Sequence, residues 1–341
     1  MSGAAPAAAA AARIAEPAEQ APVVVLNQLG GAAGLSIAGL DGRVRVLDDA
    51  LSPAWQRAGQ ADVLLTAPRH HWRDAPRAAP PSWPGRLRWV HVASAGIDFY
   101  PSWLLDVPQV TCSRGVAAVP IAEFVLHALL EQAKQLAGRR VASPGQWADE
   151  FARAASAPLG LLHGQRLGLA GYGAIGREVA RRAQAFGMRV TALRRDSAPI
   201  GDAGVRTATS LHGLLADSDH LVLALPATAA THQIINAQAL AHARPGLHLV
   251  NIARGSLVDH DALLAALDAG RLSAATLDVA APEPLPPGHR LYTHPRVRLT
   301  PHIAWSGGHV ADMTTRKFLD NLERHLHGQP LLDRVDPQLG Y

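Results

Sequence analysis

The stretch RLGLAGYGAIG, residues 166–176, decides the fold of this chain. Its first five residues form a short apolar run typical of a buried strand, and a helical pattern begins at Ile175. At the junction of the two, Gly171, Gly173 and Gly176 follow the spacing G-x-G-x-x-G. A strand, this glycine cluster and a helix, in that order, indicate a dinucleotide-binding unit. The bare spacing would be weak evidence in a chain with 30 glycines.

Each glycine of the cluster has its own expected role. Gly171 permits the tight turn, Gly173 lets the backbone approach a pyrophosphate, and Gly176 lets the helix pack closely against the strand. The pyrophosphate would lie against the free N–H groups and the positive dipole end of the helix. The predicted cofactor-binding residues of the cluster are Gly171, Tyr172, Gly173, Ala174, Ile175 and Gly176.

Short apolar runs on both sides of this unit extend the α/β pattern. They lie at 22–26, 44–47, 62–65, 87–92, 107–111, 188–193, 220–225 and 247–252. Helical patterns lie at 120–136, 175–186, 211–216, 237–243 and 309–327, and a loop is expected around Pro144–Trp147. The pattern predicts two doubly wound, parallel-sheet, Rossmann-like domains, with the cofactor domain inserted in the substrate domain.

The expected domain boundaries follow from this pattern and from the length, since 341 residues exceed what one hydrophobic core usually serves. Residues 1–21 form an Ala-rich tail that we expect to be disordered. Residues 22–118 and 306–341 form a flavodoxin-like substrate domain. Residues 119–305 form the dinucleotide-binding Rossmann domain, and the last helix returns to the first domain.

Composition excludes several classes of protein. The formal charge of +4 comes from 32 basic and 28 acidic residues, and the basic ones are scattered, so no nucleic-acid partner is predicted. No stretch is long and apolar enough to span a bilayer. Cys112 is the only cysteine, which excludes an internal disulfide and a thiolate metal cluster and suits a reducing compartment. We expect a soluble, cytoplasmic protein without a metal or a membrane partner.

Three segments downstream of the glycine cluster carry a family resemblance: Asn251–Gly255, Leu277–Glu283 and Leu299–His302. In order and spacing they resemble the signature segments of the D-isomer-specific 2-hydroxyacid dehydrogenase family, which includes NADPH-dependent glyoxylate and hydroxypyruvate reductases. The resemblance covers roughly residues 87–306. It implies a homodimer that reduces a small 2-keto acid to the D-2-hydroxy acid with NAD(P)H. The residues that match the family motif are Arg254, Asp278, Glu283 and His302.

The residue types suit this chemistry without the family. Reducing a keto acid needs a hydride on carbon, a proton on oxygen and a cation for the carboxylate. The planar fork of Arg254 can grip a carboxylate and polarise the carbonyl, and the imidazole of His302 can donate the proton. Glu283, if bonded to that imidazole, would favour its charged form and fix the ring. Taken singly, each residue also fits a structural role, such as a loop salt bridge or a strand-end histidine.

The resemblance assigns further binding residues. Ala93–Asp98 resembles the family loop whose backbone N–H groups hold the substrate carboxylate, which gives that role to Ala95 and Gly96. An ordinary strand-to-helix turn is the alternative. The substrate-binding set is then Ala95, Gly96, Arg254 and His302, and the cofactor-binding residues that the resemblance adds are Pro226, Thr231, Ala253 and Asp278.

Two positions depart from the family pattern. Cys112-Ser113 stands where many relatives have Asn before the Gly115 loop. Trp305 stands three positions after His302, where a small residue is common. It either narrows the substrate pocket or packs at a domain or subunit interface.

The cofactor preference depends on the end of the second strand of the cofactor domain. In NAD-binding units an acidic residue about 20 positions after the glycines bonds to the ribose hydroxyls and would repel a 2′-phosphate. Here Arg194 takes that position and Arg195 follows, so we predict that NADP(H) is preferred and NAD(H) is possible. The alternative is that Asp196 reaches the ribose and both arginines are solvated.

Rival functions remain open at this level. Formate oxidation is disfavoured, because relatives with that activity carry Gln at the position of Glu283. A protein of another class, a nucleotide-sensing, corepressor-like binding protein of the same fold, is the alternative, since fold alone does not decide function.

Overall fold

The computed structural model describes residues 21–31, 33, 37, 42–68, 70–195 and 199–336. Residues 1–20 of the predicted tail and Asp196, the alternative ribose contact, lie outside these ranges. Within them no helix is long and apolar enough to cross a membrane.

Five parallel strands form the first sheet, in the order β2-β1-β3-β4-β5. They are β1 (Val23–Asn27), β2 (Val44–Asp48), β3 (Val63–Thr66), β4 (Trp89–Val92) and β5 (Gln109–Cys112), with the short helices α1 (Ala54–Arg57) and α2 (His70–Arg73). Every residue of β3 and β4 is buried, as expected for parallel strands covered on both faces. This strand order is the flavodoxin-like one.

Seven parallel strands form the second sheet, in the order β12-β11-β10-β9-β6-β7-β8. They are β6 (Arg166–Ala170), β7 (Arg189–Leu193), β8 (Val205–Thr207), β9 (His220–Leu223), β10 (Leu247–Asn251), β11 (Leu272–Leu277) and β12 (Val297–Leu299). The helices of this part are α3 (Ala118–Lys134), α4 (Pro144–Ser156), α5 (Ala174–Ala185), α6 (Leu211–Ala216), α7 (Ala237–Ala241) and α8 (His260–Asp268). The strand order reverses between β6 and β9, because β7 and β8 lie on one side of β6 and the later strands lie on the other. Ligands bind at such switch points, at the carboxyl ends of the strands.

Two helices connect the sheets. Val125 and Leu129 of α3 share a core with Leu169 of the second sheet, so this helix packs there. The last helix, α9 (Val310–Leu326), returns to the first sheet, where the Phe318 ring stacks on Trp89 with centroids 5.1 Å apart. The molecule therefore has two Rossmann-like units, the second inserted in the first. We propose domain boundaries at 118/119 and 305/306 from this packing.

One prediction about an element is wrong. The loop expected around Pro144–Trp147 is the start of α4, whose N-cap Ser143 accepts a hydrogen bond from the Gln146 N–H at 3.2 Å. Proline in the first helical turn loses no hydrogen bond, because that N–H has no partner within the helix. The Pro-Gly pair therefore begins a helix here. Strands β8, β11 and β12 are not among the predicted strands, and β11 contains two alanines, which strands disfavour.

Candidate active site

The glycine cluster lies in the turn from β6 into α5. Gly171 has φ 103°, and a Cβ there would lie 2.4 Å from the Ala224 carbonyl oxygen. A Cβ on Gly176 would lie 2.6 Å from the Gly171 carbonyl oxygen, so the helix packs too close for any side chain. At Gly173, by contrast, no described atom lies within 4 Å of the Cβ position. The cradle is thus closed against the protein and open toward the cleft, as a bound pyrophosphate requires.

A cleft of about 2330 Å³ lies between the two sheets. Its volume exceeds that of a pocket for one drug-sized ligand, and so leaves room for a dinucleotide beside a substrate. Its wall includes the six residues of the glycine cluster and the predicted residues Ala95, Gly96, Arg194, Arg195, Pro226, Ala253, Arg254, Asp278, Glu283 and His302. Thr231, predicted to bind the cofactor, is not among the described wall residues. Its hydroxyl donates to the Pro226 carbonyl oxygen at 2.7 Å and so holds that loop.

His302 and Glu283 form a pair in the cleft wall. The imidazole Nδ1 lies 3.0 Å from Glu283 Oε2, while Oε1 accepts from the Ala280 N–H at 3.1 Å. Burial raises the pKa of Glu283, but the bonds from His302 and Ala280 and the charge of Arg254 outweigh it, so the pKa lies below its ordinary value of 4.5. Glu283 is therefore a carboxylate at neutral pH. It accepts the Nδ1–H and leaves Nε2 as the ring nitrogen for a substrate.

Asp278 holds the backbone on which His302 sits. Its Oδ1 accepts from Thr300 Oγ1 at 2.6 Å and from the Ile303 N–H at 2.9 Å, and its Oδ2 accepts from the Ala304 N–H at 2.9 Å. His302 itself has φ 55°, in the left-handed region that residues other than glycine seldom adopt. The buried carboxylate thus organises the loop that presents the imidazole, a role that the sequence did not indicate.

Arg254 follows β10 of the second sheet, and its guanidinium contacts the loop after β4 of the first sheet. Its Nε and Nη2 donate to the two carboxylate oxygens of Asp98, each at 2.8 Å, and Nη1 donates to the Ala253 carbonyl oxygen at 2.7 Å. Asp98 belongs to the loop after β4, so this ion pair joins the two sheets. The sequence alone indicates no role for Asp98, because its partner Arg254 lies 156 positions away.

The residues that depart from the family pattern, Trp305 and Cys112-Ser113, lie in the cleft wall and at the end of β5. Trp305 is half exposed in the cleft wall, and its Nε1 donates to the His302 carbonyl oxygen at 2.8 Å. Cys112 is buried at the end of β5, and burial raises the pKa of its thiol. Ser113 Oγ lies 3.1 Å from Nε2 of the buried His91, so it contributes to the interior of the first sheet.

Residues 126–304 match the family model described as the NAD binding domain of D-isomer specific 2-hydroxyacid dehydrogenases. This range includes the glycine cluster, Arg254, Glu283 and His302. The chain belongs to the D-isomer-specific 2-hydroxyacid dehydrogenase family. It is therefore an NAD(P)-dependent oxidoreductase, of a family that acts on small 2-hydroxy and 2-keto acids.

Full-length relatives agree with the family. Glyoxylate/hydroxypyruvate reductase B of Pectobacterium atrosepticum is 34% identical over 266 residues, which are 74% of this chain and 80% of that protein. The apo D-mandelate dehydrogenase of Rhodotorula graminis has a TM-score of 0.76 at 25% identity, over 93% of this chain and 98% of that one. A D-isomer specific 2-hydroxyacid dehydrogenase of Xanthobacter autotrophicus, in complex with NADPH and MES, has a TM-score of 0.70 at 27% identity, over 94% and 100%.

Proposed function

We propose that this enzyme reduces a small 2-keto acid of the glyoxylate or hydroxypyruvate type to the D-2-hydroxy acid, with NADPH preferred. The observation that carries the proposal is the His302–Glu283 pair, which shares one cleft with Arg254 and the glycine cradle. A proton donor, a carboxylate-binding cation and a cofactor site are the three parts that keto acid reduction needs.

The proposed chemistry assigns one task to each side chain. A dinucleotide held through its pyrophosphate at the glycine cradle would supply, from its nicotinamide, the hydride for the keto carbon. The protonated His302 gives its Nε2 proton to the keto oxygen, so that the carbonyl becomes a hydroxyl and the imidazole becomes neutral. Glu283 keeps the ring oriented by accepting a hydrogen bond from its Nδ1. Arg254, with the backbone N–H groups of Ala95 and Gly96, holds the carboxylate and polarises the carbonyl.

The proposed NADPH preference rests on Arg194 and Arg195. Both line the cleft directly after β7, on the side of the glycine cradle where the adenosine ribose of a dinucleotide is bound in such units. A 2′-phosphate carries close to two negative charges, which two guanidinium groups are suited to bind. The related Xanthobacter enzyme was crystallised with NADPH.

A homodimer completes the proposal. None of the 13 residues of helix α4 is buried. Two of them are large aromatic residues, Trp147 at 66% exposure and Phe151 at 74%. Large apolar side chains one helical turn apart on a free helix face indicate an interface. We propose that α4 packs against a second copy of the chain.

Steady-state assays test the activity and the cofactor preference together. We expect NADPH oxidation with glyoxylate, hydroxypyruvate or pyruvate, a D product where the product is chiral, and a higher kcat/KM with NADPH than with NADH. Arg194→Asp should reverse that ratio chiefly through the KM for NADPH, because the 2′-phosphate is remote from the nicotinamide. A wild-type preference for NADH would refute the cofactor assignment, and an L product would refute the assumed substrate geometry.

A further inference from the structure

The ion pair between Asp98 and Arg254 uses one whole edge of the arginine. A guanidinium has five N–H donors, and Nε with one hydrogen of Nη2 forms the edge that faces Asp98. One hydrogen of Nη1 goes to the Ala253 carbonyl oxygen. In the described part of the chain this leaves two donors, one on Nη1 and one on Nη2. The Nη1 hydrogen on the Cδ side points back toward the residue's own backbone, where the Ala253 carbonyl lies. The two remaining hydrogens then lie side by side and form a second edge that can meet a carboxylate and a carbonyl.

The backbone at Gly96 lies against the guanidinium on one side. A Cβ on Gly96 would lie 2.0 Å from Arg254 Nη2 and 2.9 Å from Asp98 Oδ1, so the guanidinium lies directly against the loop. The guanidinium therefore cannot take this position unless residue 96 is glycine. Asp98 grips it from one side and the Ala253 carbonyl from another, while the loop that carries Gly96 limits its rotation.

The Asp98 carboxylate is ionised in its pair with Arg254. Burial raises its pKa, but the hydrogen bonds and charge of Arg254, and to a smaller extent His302, outweigh that effect, and the pKa lies below its ordinary value of 3.8. An ionised partner makes both bonds charge-assisted, which gives bidentate pairs their strength and their fixed geometry.

We propose that Asp98 is a positioning residue for the reaction: it holds Arg254 so that the Nη1/Nη2 edge faces the substrate carboxylate and carbonyl. This inference rests on the proposed function, since it assumes that Arg254 binds the keto acid. Asp98 comes from the first sheet and Arg254 from the second, so the pair forms only when the two sheets approach as they do here. Alignment of the guanidinium is thereby coupled to closure of the cleft.

The test compares Asp98→Asn with Asp312→Asn. Asn keeps the size of the side chain, but its amide group presents N–H donors to a cation that has only donors, so the bidentate pair is lost. Asp312 lines the same cleft from the first turn of α9 and has no ion pair with a described residue, so its variant changes the charge equally and leaves Arg254 alone. Three quantities are measured: kcat/KM for the keto acid, the Kd of the cofactor, and the Kd of oxamate, an unreactive carboxylate analogue, in the cofactor-loaded enzyme.

We expect Asp98→Asn to lower kcat/KM on the order of 10²-fold, the effect of misplacing a binding group by about 1 Å. Oxamate affinity should fall with it, while the Kd of the cofactor and the melting temperature stay near those of wild type. Asp312→Asn should match wild type in all of these measurements. If Asp98→Asn behaves like Asp312→Asn, Asp98 has no positioning role. If it lowers cofactor affinity and melting temperature as strongly as oxamate affinity, its role is structural and the proposal is overturned. A wild-type enzyme that reduces no 2-keto acid with either cofactor would instead refute the proposed function.

Discussion

The position of Arg254 depends on a neighbour without a side chain. We predict that Gly96→Ala lowers kcat/KM for the keto acid on the order of 10²-fold, because its Cβ would lie 2.0 Å from Arg254 Nη2 and displace the guanidinium. Gly31→Ala is the matched control: Gly31 lines the same cleft, and no described atom lies within 4 Å of its Cβ position. Equal activity of the two variants in steady-state assays would contradict this.

The proton donor should act in the transition state and not in cofactor binding. His302→Ala is expected to lower kcat on the order of 10²-fold or more, the usual contribution of a general acid. The Kd of NADPH, measured by fluorescence titration, should stay close to that of wild type, because the cofactor contacts lie elsewhere in the cleft. Near-normal turnover at saturating substrate would remove His302 from the mechanism.

At the scale of single residues, the side chains that the sequence selected for the chemistry line one cleft, but the partner of Arg254 was not predicted. Glu283 and His302 are 19 positions apart and meet as their chemistry suggested. The position of Asp98 beside Arg254 could not be foreseen, because an aspartate in a surface loop is ordinary and nothing local marks its partner. The only local signal was the Gly96-x-Asp98 spacing within the loop that was already assigned to the substrate carboxylate.

At the scale of elements, α4 has no buried residue and exposes two large aromatic side chains. We predict that Phe151→Asp converts a dimer into a monomer, because burying an unpaired charge in an apolar contact costs free energy and so weakens the association of the two copies. Leu51→Asp is the control, since Leu51 is 91% exposed in the loop after β2. Size-exclusion chromatography with light scattering measures both. A wild-type monomer, or a dimeric Phe151→Asp variant, would exclude α4 as the interface.

The elements that the sequence identified best contain several leucines. The strand at 166–170 and the helix at 211–216 have the predicted bounds. Strand β11 was not predicted, because its two central alanines disfavour a strand and its conformation depends on pairing with β10 and β12. The start of α4 was misjudged because proline and glycine in sequence are equally typical of a turn.

For the whole molecule, three buried histidines should make the fold sensitive to acid. Burial lowers the pKa of His91 to about 3 and that of His220 to about 4, and it lowers the pKa of His248 well below 6.5. They are held neutral in networks, in which His220 Nδ1 lies 3.1 Å from His248 Nδ1. The unfolded chain binds these protons first as the pH falls below 6.5. Stability is therefore present above that pH and is lost as the pH falls toward 4.

We expect the free energy of unfolding to fall by about 1.4 kcal/mol for each such histidine and each pH unit below 6.5. His91 lies in the first sheet and the other two in the second, so a separate unfolding transition of the second sheet should show the steeper dependence. Urea titrations at pH 7.5 and 5.5 measure this. His91→Gln should flatten the dependence of the first transition, while the exposed His327→Gln should not. Equal stability at both pH values would contradict the prediction.

The sequence by itself determined the fold class, the cofactor unit and the family. Each of these is local: the glycine cradle is contiguous, and strand and helix periodicities depend on neighbouring residues. Only the tertiary structure decided that Asp98 pairs with Arg254, that Asp278 organises the His302 loop, and that α4 lies uncovered. The physical reason is that these features depend on residues that are far apart in the chain and meet, or fail to meet, only when two complete sheets pack around one cleft.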